Sequence, residues 1–368
     1  MSTDPSERCF LPADALGALI VAMGADGRQV IGPTPRDGAI MLDALEGPQD
    51  LPWGWTDDHA PGRYRLSRGA GGAFSHTVGP DSFKKHLWPA RQRLFQSRRT
   101  PEGFAVEPPP KPRRLAFLGA RACDLAAIRV QDRVLLDSGP QDPHYASRRE
   151  GLLLVAVQCG QAGATCFCAS MDTGPRVTQG YDLALTEVEG GFVVEIGTPA
   201  GAALLRDLPV REVDGDAASA PEAAAARATA DMAGRALPTE GLRERLLDAL
   251  EGPHWDKVAS RCLGCANCTL VCPTCFCTTV HDVTDLAGDA ERVRTWDSCF
   301  NLEFSYVHGG PVRATLAARY RQWLTHKLAT WWDQFGASGC VGCGRCTTWC
   351  PAGIDIVEEA LAAAGPGE

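Results

Sequence analysis

Two stretches of this chain carry one cysteine spacing, and any fold must accommodate both. The first runs Cys262-Leu-Gly-Cys265-Ala-Asn-Cys268-Thr-Leu-Val-Cys272-Pro273, and the second Cys340-Val-Gly-Cys343-Gly-Arg-Cys346-Thr-Thr-Trp-Cys350-Pro351. Both read C-x2-C-x2-C-x3-C-P. Four soft thiolates in so short a run suit a [4Fe–4S] cluster, because the two-residue gaps let three sulfurs curl around one side of it. Gly264, Gly342 and Gly344 let backbone amides approach inorganic sulfide. The proline stops the chain after the fourth Cys. Zinc modules also use C-x2-C pairs, but they take two pairs per metal rather than four thiols in one tight run. Two complete copies ending in Cys-Pro favour clusters.

Where two such runs occur in one ferredoxin-type chain, the fourth Cys of each serves the other run's cluster. The expected ligation is therefore crossed. Cluster one takes Cys262, Cys265, Cys268 and Cys350, and cluster two takes Cys340, Cys343, Cys346 and Cys272.

Length and charge bound the rest. The chain has 368 residues, enough for two domains, and its net charge is −9. No basic stretch is interleaved with aromatics, which argues against a nucleic-acid partner. Sixteen Cys at metal spacing, with oxygen-labile clusters, imply a reducing compartment. The apolar run Ala15 to Ala25 resembles a signal core, but Asp4, Glu7 and Asp14 precede it with only Arg8 in compensation. The cationic flank is missing, so the run reads as a buried helix. Nothing reaches the ~18 apolar residues of a membrane span. The expected location is cytoplasmic.

Along the chain, the pattern predicts an α/β domain over 1–240, then a mostly helical dicluster ferredoxin-type domain over 241–368. A helix is expected at about 13–24, with strands at Arg28–Ile31 and Ala39–Leu45. Gly69 to Gly72 is a poor phosphate loop, since no strand–turn–helix frames it, and reads as a turn. Glu107 to Pro112 is an extended connector. Arg114–Leu118 and Leu152–Val157 are short continuous apolar runs, as in a doubly covered parallel sheet. A helix at about 124–133 follows the first, and Cys123 and Cys159 fall just past the two strand ends, where such sheets build sites. Tyr181–Val188 and Phe192–Ile196 read as a hairpin. The alanine-rich stretch 213–237 is a linker or surface helix, and Thr239 is the candidate N-cap of the next helix. In 312–335, Leu316, Tyr320, Trp323, Leu324, Leu328, Trp331 and Phe335 recur at helical steps, a core face rather than a cofactor box. A last helix is expected at about 353–364.

Eight cysteines lie outside the runs. Cys9 suits a small buried hydrophobe. Cys123, Cys159, Cys166 and Cys168 offer a further four-thiolate set, either a third [4Fe–4S] cluster or simple packing. Thr274-Cys275-Phe276-Cys277 repeats the tetrapeptide at 165–168 and, with Cys299, adds three more thiols. These read equally as donors near cluster two, structural thiols, or ligands shared with a central site. No hydrolytic triad or carboxylate pair stands out, so no catalytic residue is assigned.

These motifs together resemble one family. They are Gly119-Ala-Arg-Ala-Cys123-Asp124, Tyr145 through Arg149, Thr165-Cys-Phe-Cys168, Gly174-Pro175 with Gly180-Tyr-Asp182, Cys272-Pro-Thr-Cys-Phe-Cys277, Trp296-Asp-Ser-Cys299 and the second run. The chain resembles the iron–sulfur beta subunit of cytoplasmic sulfhydrogenases, the NAD(P)-linked [NiFe] hydrogenases. It is similar as well to the iron–sulfur subunit of anaerobic sulfite reductase, of the same family. The resemblance covers about residues 75–358. It implies an electron-transfer subunit between a flavin subunit that meets NAD(P)H and a catalytic module, a [NiFe] hydrogenase or a sirohaem reductase. FAD and NAD(P)H are then expected on a partner, which fits the absence of a dinucleotide fingerprint here.

Overall fold

The computed structural model describes residues 8–365, so Asp4 and Glu7 of the N-terminal reading lie outside the described residues. The strands are β1 (Arg8–Pro12), β2 (Gln29–Arg36), β3 (Ala39–Ala44), β4 (Trp55–Ala60), β5 (Arg63–Arg68), β6 (Arg91–Thr100) and β7 (Gly103–Glu107). They continue with β8 (Leu115–Ala120), β9 (Leu153–Val157), β10 (Leu183–Val188), β11 (Gly191–Ile196), β12 (Thr278–Thr284) and β13 (Ala290–Trp296). Seven form one sheet in the order β1-β11-β10-β9-β8-β2-β3. Its centre is parallel, β2 to β8 to β9 to β10, and its margins are antiparallel.

The continuous apolar runs of β8 and β9 are explained by cover on both faces. Leu118, Val155 and Leu185 pack against Leu16, Leu19 and Ile20 of the helix Leu16–Met23. On the other face Phe117, Leu154 and Ala156 meet Leu125 and Ile128 of the helix Ala122–Asp132, together with the buried Tyr145. Successive strand residues thus alternate between two cores, as the pleat requires.

A further core lies in the C-terminal part, and Phe167 and Leu237 reach into it. Leu242, Leu246, Trp255, Val258, Tyr320, Trp323, Leu324, Leu328 and Ile356 pack together. They come from helices Leu242–Asp248, His254–Ala259, Leu316–Thr325 and Ile356–Ala364, and from a π-helical turn at His326–Thr330. The aromatic stripe is core packing, in line with its spacing.

Several expectations need correction or refinement. The "mostly helical" reading is not confirmed between the runs, where β12 and β13 form a hairpin. That hairpin joins β6 and β7 in a four-stranded sheet, order β12-β13-β6-β7, so strands from both parts of the chain share one ladder. Thr239 does not cap its helix. Gly241, at φ +60°, holds the N-cap position with no side-chain cap, and Thr239 contributes its carbonyl to the Leu242 amide. The alanine-rich stretch resolves into a helix, Ala220–Asp231, with Ala224, Ala225 and Ala228 turned inward. The backbone just after the Gly69–Gly72 turn binds a carboxylate of its own chain. Glu187 accepts from the amides of Ala73 (2.6 Å) and Phe74 (3.1 Å). Among the described residues, no helix is long and apolar enough to cross a membrane.

Candidate iron–sulfur centres

The two runs follow one backbone path. Gly264 and Gly342 both sit at φ +62°, and two residues later Ala266 and Gly344 sit at +64° and +73°. A left-handed alanine is rare, because its Cβ crowds the backbone. Its presence in run one shows that the turn, rather than glycine's freedom, sets the path there. The turn lets the Gly264 amide point at Cys262 Sγ and the Gly342 amide at Cys340 Sγ, each at 3.4 Å. Short helices, Asn267–Leu270 and Arg345–Thr348, then carry the third Cys of each run.

The fold gathers the thiols into neighbouring groups. Cys262, Cys265, Cys268 and Cys350 line one apolar pocket with Phe300, Tyr320, Trp323 and Ile356, and Cys346 borders it. Cys265 is exposed, so this group reaches the surface. Cys346 lies within electrostatic range of Cys340, Cys343 and Cys272, and also of Cys268 of the first group. Cys340 is close to Cys343 and Cys272. The fourth cysteine of each run therefore sits beside the other run's first three.

Burial dominates the thiol chemistry. It pushes the Cys268 and Cys346 thiols well above their ordinary range and Cys340 up to about 12. Cys272 moves the opposite way, well below it. A hydrogen bond from the Cys275 thiol is the largest cause, and Lys327 and Lys84 reinforce it against burial.

The second run is locked to residues from earlier in the chain. Arg345 is buried and its Nη2 pairs with Asp124 Oδ1 at 2.8 Å, while its Nε donates to the Gly79 and Asp81 carbonyls. The Phe167 amide donates to the Gly342 carbonyl (2.8 Å), and the Thr165 and Thr348 hydroxyls meet at 2.7 Å. Thr165-Cys166-Phe167-Cys168 is thereby laid along the run. A Cβ on Gly342 would stand 2.7 Å from Cys168 Cα, and one on Gly344 2.4 Å from the Thr165 carbonyl oxygen. These glycines allow the second run to lie in close backbone contact with the 165–168 loop.

The central cysteines converge in part. Cys168 is within range of Cys159, Cys166 and Cys343. Cys123, in the first turn after β8, neighbours Cys168 and Cys343. Burial pushes Cys166 up to about 12, with Cys159 adding to it. Cys343 of the second run thus faces the same space as the central thiols. Arg121 closes the strand ends: it is buried, and its guanidinium donates to the Gln158, Phe74 and His76 carbonyls and contacts the Cys159 thiol. Cys9 is partly buried against the sheet core.

Sequence reasoning missed Arg121, the Arg345–Asp124 pair, Lys84 and Lys327. One signal was available. Lys327 lies four residues after Trp323 and four before Trp331, on the apolar face of its helix, where a solvated lysine does not belong. Lys84 carries no such signal.

The donor groups fit iron–sulfur clusters. They offer soft thiolates in four-fold groups with apolar walls, and glycine-turn amides already aimed at sulfur. Arg345 also keeps a buried Nη1 without a hydrogen bond beside Cys343. A model of the 4Fe–4S dicluster domain matches residues 261–354. The sulfhydrogenase 2 subunit beta of Pyrococcus furiosus is 35% identical over 249 residues, covering 67% of this chain and 72% of that protein. No solved structure matches the chain.

Proposed function

The chain belongs to the sulfhydrogenase beta-subunit family, and from that premise we propose that it relays electrons between a flavin subunit that meets NAD(P)H and a [NiFe] hydrogenase module. It does so in the cytoplasm, with FAD and NAD(P)H held by the partner. A relay to the sirohaem module of an anaerobic sulfite reductase is the weaker reading, because the 35% identical relative is a sulfhydrogenase subunit.

The observation that carries the proposal is the contiguity of the thiol groups. They run from the exposed Cys265 through Cys268 to Cys346 and Cys272, then through Cys343 to Cys168. Cys262, Cys265, Cys268 and Cys350 hold the first cluster in this reading, and Cys340, Cys343, Cys346 and Cys272 the second. Cys123, Cys159, Cys166 and Cys168 hold a third at the strand ends. Such clusters supply one-electron transfer, at potentials that their surroundings set. The chain's part is to exclude water with Phe300, Tyr320 and Trp323, to aim the Gly264 and Gly342 amides at sulfur, and to place Arg345 beside the second group. The functional division is an α/β part, 1–240, that carries the third group, and a ferredoxin-type part, 241–368.

The anaerobically purified full chain should hold at least about eight irons, at four per cubane. On its own it should not reduce a dye with NAD(P)H, and should do so once the flavin subunit is added. Stoichiometric zinc with fewer than about six irons would overturn the cluster reading. NAD(P)H oxidation by the isolated chain would overturn the relay reading.

A further inference from the structure

A cavity of about 460 Å³ opens between the helix Ala122–Asp132, the loop at 170–173 and the end of the helix Trp331–Phe335. Cys340 and Val341 of the second run form part of its wall. So do Ala126 and Val130, which pack with Val341, Cys123, Cys168 and Cys343 in one buried cluster. Apolar side chains of that cluster therefore stand between the cavity and the place where the second run meets the central thiols. A second cavity, of about 330 Å³, shares Arg129, Asp172 and Thr173 with the first.

The charge in this cavity is unbalanced. Arg129 lies on the helix and Arg133 one turn later, at the start of a π-helical turn. Like charges at that spacing repel. Arg133 donates to the Phe335 and Gly336 carbonyls, at 3.2 and 3.4 Å. Arg129 is half-buried, yet among the described residues its guanidinium makes no hydrogen bond and no ion pair. Burial, with Arg133 adding to it, holds this guanidinium below the ordinary arginine range, and it stays charged all the same. The carboxylate in the lining is that of the exposed Asp172, and it pairs with neither arginine. A cation so placed gains most from an anion that comes from outside the chain.

Trp332, 47% exposed, brings an aromatic face to the same cavity. Arg129 lines both cavities, so an anion held there can carry a ring into the larger one. The larger cavity lies in the size range of small-molecule sites, and a guanidinium takes phosphate through paired N–H donors. We propose that this cavity binds a planar aromatic ring carrying a phosphate, with the phosphate on Arg129 and the ring against Trp332, on the side of the second run's Cys340. The site goes beyond the relay reading and does not rest on it.

The test uses the anaerobically purified full chain and two probes: flavin mononucleotide, followed by quenching of its fluorescence, and AMP, followed by calorimetry. At least one should bind. Inorganic phosphate should compete with it and, alone, bind more weakly. The tighter probe tells a flavin-type ring from a purine. Arg129→Gln should weaken that probe at least about tenfold, the loss of one charge-assisted hydrogen bond. Trp332→Ala should weaken it too, while the affinity for inorganic phosphate stays as it was. Binding of neither probe overturns the proposal, as does phosphate alone binding as tightly as the probes, or an affinity that Arg129→Gln leaves unchanged. Should Arg129→Gln misfold, Trp332→Ala at its exposed position decides, and an unmoved affinity for the probe overturns the site.

Discussion

At the scale of single residues, the decisive groups are those whose burial makes sense only with a partner. Arg345 and Asp124 are 2% and 5% exposed in their side chains and pair at 2.8 Å. Removing one partner strands the other as a buried charge, which costs about 3–5 kcal/mol. Asp124→Ala should therefore lower the stability of the anaerobic protein by that order in denaturant titration. It also deprives the Arg121 amide of the acceptor that begins its helix. Cys272 is the other telling residue. Its sulfur stands with the second run's thiols although its chain belongs to the first. Cys272→Ala should thus weaken the reduced-state EPR signal of the cluster on Cys340, Cys343 and Cys346 and spare the other. Selective loss of the cluster on Cys262, Cys265 and Cys268 would mean that ligation is not crossed.

At the scale of elements, the same turn occurs twice and does two jobs. In run one, position 266 tolerates an alanine at φ +64°. In run two, the equivalent Gly344 and the preceding Gly342 are pressed against the 165–168 loop. Gly342→Ala combines a left-handed φ with a 2.7 Å approach to backbone atoms. It should cost more than about 1 kcal/mol, read as a lower denaturant midpoint. Gly264→Ala shares the φ but meets only the end of Leu316, at 3.1 Å. It should be the milder of the two, and equal effects would count against the role given to the loop contact.

At the scale of the whole molecule, the ferredoxin-type part is not a free-standing appendage. β13 pairs with β6 from the first third of the chain, Arg345 needs Asp124, and the second run leans on the 165–168 loop. Residues 241–368 produced alone should leave the β13 edge unpaired and hold iron poorly, retaining fewer than about four ions per chain after gel filtration, half of the two-cubane complement. A stable brown fragment with eight irons would show that the contacts across residue 240 are dispensable.

Much of this was legible in the residues themselves. The spacing of the two runs, the doubly covered strands at 115–120 and 153–157 and the helical stripe from Leu316 to Trp331 each follow from local chemistry: ligand reach, pleat and helical period. The β12–β13 hairpin was not legible, because β12 is polar and largely exposed, β13 carries charged residues at alternate positions, and the sheet exists only through pairing with β6. The neighbourhood of Cys275, Cys277 and Cys299 was not legible either. Closure of that hairpin brings Cys299 back across more than twenty residues, and nothing local marks the return. Spacing determined which thiols a short loop could gather. Long-range strand pairing and the burial of Arg345, Lys84 and Lys327 decided which thiols became neighbours, since a buried charge can be placed only where the whole fold supplies its partner.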